Sequence, residues 1–168
     1  NGYLVDVRRS GWDRLRWTGS PHPLRRYEED IAKLHADIQA GGQFPAGERD
    51  EAYQEYYLDG QWWPGERSVV DRAALLGFAP GAGDTVLDVG CHTGGFFALA
   101  RQARCVGVDV DPGYIALAQR LARANGWNIC YRCVDVRMRV VLDDLREWLR
   151  QLWRDGVDHL LCLSMAKH

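Results

Sequence analysis

The sequence predicts an α/β fold in which a parallel sheet is flanked by helices. Three observations lead to this prediction. Short apolar runs alternate with helical patterns in the second half of the chain, a Pro/Gly-rich loop separates this half from an aromatic-rich first half, and glycines directly follow the first apolar run. Ligands of parallel sheets bind beyond the carboxyl ends of the strands, so the functional residues are expected in the loops there.

Four apolar runs are predicted as strands, at about residues 85–89, 105–109, 128–134 and 158–163. Three helical patterns lie between them, at residues 94–104, 112–125 and 139–154. Asp111 and Pro112 suit the start of the middle helix, and Gly126 suits its end. The fourth run, HLLCLS, is apolar on both faces, so we expect it in the centre of the sheet, with further strands or a partner covering its open side. The chain therefore looks truncated after this strand.

The chain divides at a loop near residues 80–84. We expect residues 1–80 to form a helical segment and residues 81–168 to form the core. In the first segment, residues 24–40 and 67–76 are predicted as helices, and residues 41–67 are predicted as a loop.

Two interpretations of the aromatic stretch at residues 53–67 remain open. It could be a structural cover on the sheet, or a lid whose rings exclude water and whose Arg67 pairs with a ligand carboxylate. Two further tryptophans, Trp148 and Trp153, are interpreted as packing between a helix and the sheet, and His35 and His159 are interpreted as structural.

Composition and charge narrow the function classes. The 168 residues carry a formal net charge of −2, and 46% are hydrophobic. A chain without basic excess is not typical of proteins that bind nucleic acid, although a local patch is compatible with this total. With no run of eighteen apolar residues and no apolar signal segment, we expect a cytoplasmic protein without a membrane partner.

The cysteines do not form a recognisable metal or disulfide pattern. Five cysteines are scattered through apolar segments, which is typical of reduced thiols. Cys130 and Cys133 form a single C-x-x-C, whereas a zinc site needs two more ligands. We therefore expect two core thiols and no metal.

The segment VLDVGCHTGGFF, at residues 86–97, is the most informative part of the chain. Glycines after a first strand let a ligand approach the backbone closely, but their spacing here differs from the G-x-G-x-x-G of dinucleotide sites. Asp88 stands before the first glycine, where a carboxylate would oppose a pyrophosphate and suit an ammonium group. Asp109 ends the second strand, where an acid can bind ribose hydroxyls. The pair predicts an adenosine-like ligand without phosphates at the loop.

With these residues the sequence resembles the class I S-adenosylmethionine-dependent methyltransferases, which have a Rossmann-like fold. VLDVGCHTGGFF is similar to their first motif and VGVDVDP to their second. The resemblance covers residues 84–168 well and residues 50–83 loosely. It implies S-adenosylmethionine as cofactor, bound by Asp88, Gly90, Cys91, His92, Gly94, Asp109, Val110, Asp135, Val136, Leu163 and Ser164.

The resemblance also implies a role for each group of residues. The loop residues would line the methionine end of the cofactor, and Asp109 would hold the ribose with Val110 on the adenine. Asp135 and Val136 would meet the adenine edge, and the end of the fourth strand would lie beside the reacting methyl group. His92 stands where the family often has glycine, and we expect it to be a loop or cofactor contact rather than a base.

The expected function is methyl transfer to an unidentified acceptor. The fourth motif is not the (Asp/Asn)-Pro-Pro-(Tyr/Phe) of enzymes that methylate planar amino groups, and a small-molecule or saccharide hydroxyl is favoured. His168 is the candidate base if the acceptor must lose a proton, with Lys167 beside it. Two alternatives stay open: a non-catalytic cofactor-binding module or scaffold for a partner, and a nicotinamide-dependent oxidoreductase, which the glycine spacing disfavours.

Overall fold

The computed structural model of the chain describes residues 31–40, 52–153 and 156–163. In chain order, its elements are α1 (Ile31–Gln39), β1 (Tyr56–Leu58), β2 (Gln61–Trp63), α2 (Val69–Leu76), β3 (Thr85–Val89), a 3₁₀ helix (Gly95–Leu99), β4 (Arg104–Asp109), α3 (Pro112–Asn125), β5 (Ile129–Cys133), α4 (Arg139–Leu152) and β6 (His159–Leu161). No helix among the described residues has the length and apolar character needed to cross a lipid bilayer.

Four parallel strands form the main sheet, in the order β5-β4-β3-β6. The chain moves outward from β3 through β4 to β5 and then returns to place β6 on the other side of β3. The strand order therefore reverses at β3, which opens a crevice at its carboxyl end. This topology confirms the predicted parallel α/β sheet, and the strand bounds differ from the predicted ones by one or two residues at most ends.

Alternate side chains of β3 pack on opposite faces of the sheet. Val86 is fully buried in one apolar cluster with Phe96 and Phe97, and Leu87 is buried in another with Trp153. Trp148 packs against that second cluster from α4, which confirms the predicted packing role of the two tryptophans. Both faces of β3 are thus covered, as parallel strands require.

Helix α3 begins and ends as its sequence predicts. The Asp111 side chain accepts hydrogen bonds from the backbone N–H groups of Gly113 and Tyr114, at 2.7 and 3.3 Å. Gly126 ends the helix in a left-handed conformation with φ of 69°. Because α3 starts directly after β4, these local signals fix the loop that carries Asp109 and Val110.

The predicted helix at residues 94–104 is wrong. Only Gly95–Leu99 is helical, as a short 3₁₀ helix, and β4 already starts at Arg104. The segment is apolar on every side, with Phe96, Phe97 and Ala98 all buried, so it has no solvent face along which a regular amphipathic helix could lie on the sheet.

The predicted loop at residues 41–67 contains an antiparallel hairpin, β1–β2. Asp59 and Gly60 turn the chain with φ of 52° and 81°, and Asp-Gly is a strong hairpin signal that the sequence reading passed over. Tyr56 is completely buried against α1, where its hydroxyl contacts Nδ1 of His35. The structural interpretation of His35 is therefore confirmed, and so is that of His159, whose Nε2 lies 3.0 Å from Oδ2 of Asp84.

Two expectations about the outer strands are not met in the described part of the chain. β6 lies at an edge of the sheet rather than in its centre, and Leu160 is 66% exposed there. The C-x-x-C residues separate because positions three apart on a strand face opposite sides: Cys130 packs under α4, whereas Cys133 is exposed. Only one of these two thiols is therefore a core thiol.

Candidate functional site

The loop after β3 turns tightly over the end of β4. Gly90 has φ of 78°, and the N–H groups of Gly90 and Cys91 both donate to the carbonyl of Val108, at 2.8 and 3.0 Å. Gly94 also has a positive φ, of 77°. Residues with side chains adopt such angles only with strain, which accounts for glycine at both positions. The turn leaves Asp88 at the base of the crevice.

Asp88 is a buried carboxyl group, only 3% exposed. Burial raises its pKa to about 7, the nearby guanidinium of Arg72 opposes this rise, and the carboxylate of Asp109 adds to it. None of the described residues donates a hydrogen bond to the Asp88 carboxyl group. A buried acid in this state is suited to a cationic hydrogen-bond donor.

Asp109 joins the loop after β3 to the loop after β4. Its Oδ2 accepts a hydrogen bond from the backbone N–H of His92 at 2.8 Å, and its Oδ1 accepts one from the N–H of Asp111 at 3.0 Å. The side chain is half-buried. Each carboxylate oxygen has a second acceptor position, so Asp109 retains the capacity to bind a hydroxyl group.

His92 occupies a left-handed backbone position, with φ of 53°, and is 7% exposed. Its ring contacts those of Tyr114 and Tyr53 in tilted arrangements, with centroid distances of 3.8 and 5.2 Å. Burial lowers its pKa to about 4, so the imidazole is neutral at neutral pH. Its Nε2 is buried and has no hydrogen-bond partner, which marks the ring as a contact for a ligand or for the loop rather than as a solvated base.

The adenine side predicted for the site lies at the ends of β4 and β5. Val110 is 53% exposed, and Val136 is half-buried against the apolar cluster under α4. Both oxygens of Asp135 are bound by the Arg137 side chain, at 2.8 Å each, and this pairing lowers the pKa of Asp135 to about 2. The Asp135 carboxylate is thus already partnered, unlike that of Asp88.

The structure brings most of the predicted residues together at one edge of the sheet. Asp88, Gly90, Cys91, His92 and Gly94 lie on the loop after β3, with Asp109 against them. Cys91 is buried, and its burial raises the pKa of the thiol well above the usual range, so it is not a nucleophile.

The remaining predicted residues lie at the other end of the site or beyond it. Leu163 is half-buried and packs on the apolar cluster around Val86. Ser164, Lys167 and His168 lie outside the described residues.

Three residues of the site were not identified from the sequence: Gln54, Arg72 and Tyr114. Nη1 of Arg72 and Nε2 of Gln54 are buried and, like Nε2 of His92, have no hydrogen-bond partner in the part of the chain that the structure describes. Gln54 lies on the segment before β1 and Arg72 on α2, so only the tertiary structure brings them to the glycine loop. In the helical pattern of residues 67–76, nothing in the sequence separates Arg72 from an ordinary surface arginine.

A family model described as a methyltransferase domain matches residues 86–151, which is less than half of the chain. This segment is therefore similar to methyltransferase domains. The match starts in β3 and includes the glycine loop, Asp109 and the strand and helix that follow, and it confirms the resemblance to class I S-adenosylmethionine-dependent methyltransferases. Domains of this family use S-adenosylmethionine in general.

The chain is also similar to solved structures, over part of its length. One is described as "Conversion of a Disulfide Bond into a Thioacetal Group during Echinomycin Biosynthesis", with 27% identity and a TM-score of 0.32, over 39% of this chain and 27% of the other. Another is precorrin 8w decarboxylase from Methanobacterium thermoautotrophicum, with 24% identity and a TM-score of 0.39, over 56% of this chain and 60% of the other. The chain therefore spans less than two thirds of either structure. No curated protein matches the sequence.

The residues of the methyltransferase domain fit the parts of S-adenosylmethionine. The buried carboxyl group of Asp88 accepts no hydrogen bond from the residues that the structure describes, and an ammonium group could donate one. The half-buried Asp109 can accept from ribose hydroxyls, and the exposed apolar surface of Val110 lies next to it. The three unpartnered nitrogen atoms on Gln54, Arg72 and His92 add further polar contacts around the loop.

Proposed function

We propose that this chain binds S-adenosylmethionine at the carboxyl edge of its sheet and transfers the methyl group to a hydroxyl acceptor. The observation that carries the proposal is the pair of carboxyl groups at the ends of adjacent strands. Asp88 is buried and accepts no hydrogen bond within the described ranges, and Asp109 is held by the His92 backbone. Two acids without a cationic or phosphate-binding loop between them suit the ammonium and ribose groups of this cofactor and oppose a dinucleotide pyrophosphate.

The residues of the chain would bind the cofactor and orient it for methyl transfer. Asp88 would hold the ammonium group, Asp109 the ribose hydroxyls, and Val110 with Val136 the faces of the adenine. Asp135 is the proposed acceptor at the adenine edge, and Leu163 and Ser164 are proposed to lie beside the transferred group. When bound, the cofactor supplies an electrophilic methyl group on a sulfonium, so that alignment by the protein contributes much of the rate, about 7–11 kcal/mol in well-oriented systems.

The acceptor is proposed to be a hydroxyl group of a small molecule or a saccharide. A net charge of −2 supports a small acceptor over a polyanion, and the fourth motif lacks the Pro-Pro pair of amino-group methyltransferases. His168 is the proposed base that takes the hydroxyl proton, since an unperturbed imidazole titrates near neutral pH. His92 is less suited to this role, because burial destabilises its imidazolium form, lowers its pKa to about 4 and so makes it a weak proton acceptor.

The first test is calorimetric titration of the chain with S-adenosylhomocysteine and, separately, with NAD. We expect S-adenosylhomocysteine to bind and NAD not to bind. Asp109→Ala should weaken binding at least tenfold, whereas Asp144→Ala, on the exposed face of α4, should leave the affinity unchanged. A thermal melt of each variant checks that it is folded, because Asp109 also accepts two backbone hydrogen bonds.

Transfer is tested separately, with radiolabelled S-adenosylmethionine and a panel of hydroxyl-bearing small molecules and saccharides. Label in an acceptor, lost in His168→Ala, would support the whole proposal. Binding without transfer to any acceptor would favour the alternative, a non-catalytic cofactor-binding module. Binding of NAD in place of S-adenosylhomocysteine would overturn both.

A further inference from the structure

Helix α4 and strand β6 leave an apolar groove between them on one face of the main sheet. Its volume is about 450 Å³, which is in the range of small-molecule sites. With the exception of Val136, none of the described lining residues is among those proposed to hold the cofactor. The groove is therefore a separate site. Its lining comes from three parts of the fold: Leu87 on β3, Leu145, Leu149 and Trp153 along α4, and Val157 just before β6.

Part of this apolar surface is open to solvent. Leu142 and Val157, which line the groove on its two sides, are both exposed. Leu160 of β6 pairs in register with Leu87 of β3, so the two side chains project from the same face of the sheet. Leu87 is buried under α4, whereas Leu160 is exposed at the sheet edge. A contiguous apolar surface of this kind is typical of a binding site.

The charged residues that line the groove are all basic in the described part of the chain. Arg146 and Arg150 lie one turn apart on α4 and are exposed. The acids of the same helix, Asp143, Asp144 and Glu147, are also exposed but do not line the groove. Two like charges one turn apart on a helix repel each other, and an anion bound between them would remove this repulsion. The groove thus combines an apolar interior with a basic rim.

Neither arginine of the rim has a close ion pair within the described ranges. Nη1 of Arg150 lies 3.9 Å from Oε2 of Glu147, a long contact between two side chains that are both more than half exposed. Arg146 forms no ion pair with any residue that the structure describes. A guanidinium in this state retains its planar set of donors, which can bind a carboxylate through two parallel hydrogen bonds.

The size and the chemistry of the groove together indicate the class of ligand. Specific protein interfaces bury about 800 Å² on each partner, whereas small ligands occupy cavities of about 300–1,000 Å³, and the groove has the size of the second class. Its apolar walls offer few hydrogen bonds to a saccharide or a nucleotide, and its two arginines favour a negative charge at one end of the ligand. A ligand with an alkyl chain and an anionic head group meets both conditions.

We propose that this groove binds a single-chain fatty acid, with the alkyl chain between α4 and β6 and the carboxylate on Arg146 and Arg150. Burial of the alkyl chain supplies most of the affinity, and the two guanidinium groups select an anionic head group over a neutral or cationic one. The site goes beyond the proposed function, because it requires neither S-adenosylmethionine nor methyl transfer.

The test compares ligands with the same alkyl chain and different head groups: decanoate, 1-decanol and decyltrimethylammonium. Calorimetric titrations below the micelle-forming concentrations are made on the unmodified chain, on the double variant Arg146→Gln/Arg150→Gln, and on Val157→Asp, which places a carboxylate on the groove wall. Arg123→Gln on α3 and Leu75→Asp on α2 are the matched controls, because both residues are exposed and neither lines the groove. Thermal melts without ligand show whether each variant is folded.

We expect one decanoate to bind per chain, 1-decanol to bind about fivefold more weakly or less well still, and decyltrimethylammonium not to bind. The double arginine variant should weaken decanoate binding about five- to thirtyfold, the effect of losing two exposed charge contacts. It should leave the affinity for 1-decanol within about twofold, because the alkyl contacts remain. Val157→Asp should weaken binding of both ligands, and the two controls should behave like the unmodified chain. Added salt should weaken decanoate binding only.

Several outcomes would overturn this inference. If decanoate and 1-decanol bind equally well, or if the folded double variant binds decanoate as the unmodified chain does, the arginines do not recognise a head group. If the folded chain binds no decanoate, the groove is not a fatty-acid site, and a dimer that Val157→Asp dissociates in sedimentation would assign it to a second copy of the chain. The three ligands and the salt dependence are compared on the unmodified chain, so the inference can be tested even where a variant does not fold. Binding of S-adenosylhomocysteine tests the proposed function separately.

Discussion

The hydroxyl of Tyr131 lies 2.5 Å from the position that a Cβ on Gly94 would occupy. Tyr131 stands in the middle of β5, two strands away from β3, and its ring also covers Gly107 on β4, where a Cβ would be 2.8 Å from Cδ1 of Tyr131. A glycine of the loop after β3 is therefore required by the packing of the protein itself. The motif and the sheet beneath it form one packed unit.

Gly94→Ala should destabilise the fold by about 2–5 kcal/mol. The positive φ costs about 1–2 kcal/mol for a residue with a Cβ, and overpacking against Tyr131 adds about 1–3 kcal/mol. Gly126→Ala is the control, because Gly126 has φ of 69° and nothing within 4 Å of its Cβ position, so it shows the backbone cost alone. Urea denaturation measures both. Tyr131→Phe in the Gly94→Ala background should recover part of the loss, and equal losses for the two glycine variants would contradict the packing argument.

The buried acid Asp88 and the buried imidazole His92 should give opposite pH dependences of stability. The pKa of His92 falls on folding from 6.5 to about 4, so between these values the unfolded state binds the extra proton and acidification destabilises the fold. The pKa of Asp88 rises from 3.8 to about 7, so over nearly the same range the folded state binds the extra proton and acidification stabilises the fold. The two effects nearly cancel in the unmodified chain.

Single substitutions should reveal each effect. In Asp88→Asn, the free energy of unfolding should fall by about 1.4 kcal/mol per pH unit as the pH decreases from 6.5 to 4. In His92→Asn, the free energy of unfolding should instead rise, with a similar slope, as the pH decreases over this range. Asparagine is chosen because it tolerates the left-handed backbone conformation at this position. Urea denaturation at four or five pH values measures these slopes. Parallel curves for the two variants would show that neither group titrates as its burial requires.

Glu55→Ala should lower the free energy of unfolding by about 1–3 kcal/mol, because the carboxylate accepts hydrogen bonds from the Ser68 hydroxyl and from two N–H groups at the start of α2. Glu147→Ala is the matched control. Glu147 is an exposed glutamate on α4 whose side chain is 61% accessible, and its loss should change stability by less than about 0.5 kcal/mol.

Glu55→Ala should also weaken S-adenosylhomocysteine binding, because Glu55 fixes the position of Arg72 relative to Gln54. A destabilised variant that binds with unchanged affinity would show that the segment before β1 and α2 are not part of the site. Chemical denaturation and calorimetry on the same samples separate the two effects.

The pair of Asp135 and Arg137 should matter little for stability and more for binding. Arg137 is 71% exposed, and solvent screens such surface pairs so that they add little to stability, so Arg137→Gln should leave the melting temperature nearly unchanged. If Asp135 accepts from the adenine edge, Asp135→Ala should weaken S-adenosylhomocysteine binding about five- to tenfold, whereas Arg137→Gln should leave the affinity within about threefold. Equal affinities for the Asp135→Ala variant and the unmodified chain would remove Asp135 from the site.

The core of the fold could be predicted because its signals are local. The β3 strand followed by glycines, the Asp111 cap of α3 and the left-handed Gly126 are each specified by neighbours along the chain, through backbone geometry and short-range hydrogen bonds. The positions of Asp88 and Asp109 could be predicted for the same reason, because the ends of the strands that carry them can be recognised from the local sequence. The helix predicted at residues 94–104 failed because residues 94–98 are all buried, and this continuous burial, which no periodicity reveals, overrides the helical propensity.

The sequence by itself determined the parallel sheet, the glycine loop and the two carboxyl groups that the proposed cofactor would need. Only the tertiary structure decided what surrounds them: Tyr53 and Tyr114 against His92, Arg72 near Asp88, and Gln54 against Gly95. These residues come from elements far apart in the chain. Their contacts depend on how the hairpin and α2 pack on the sheet, and on the loss of water that gives Asp88 and His92 their shifted pKa values, which no local pattern encodes.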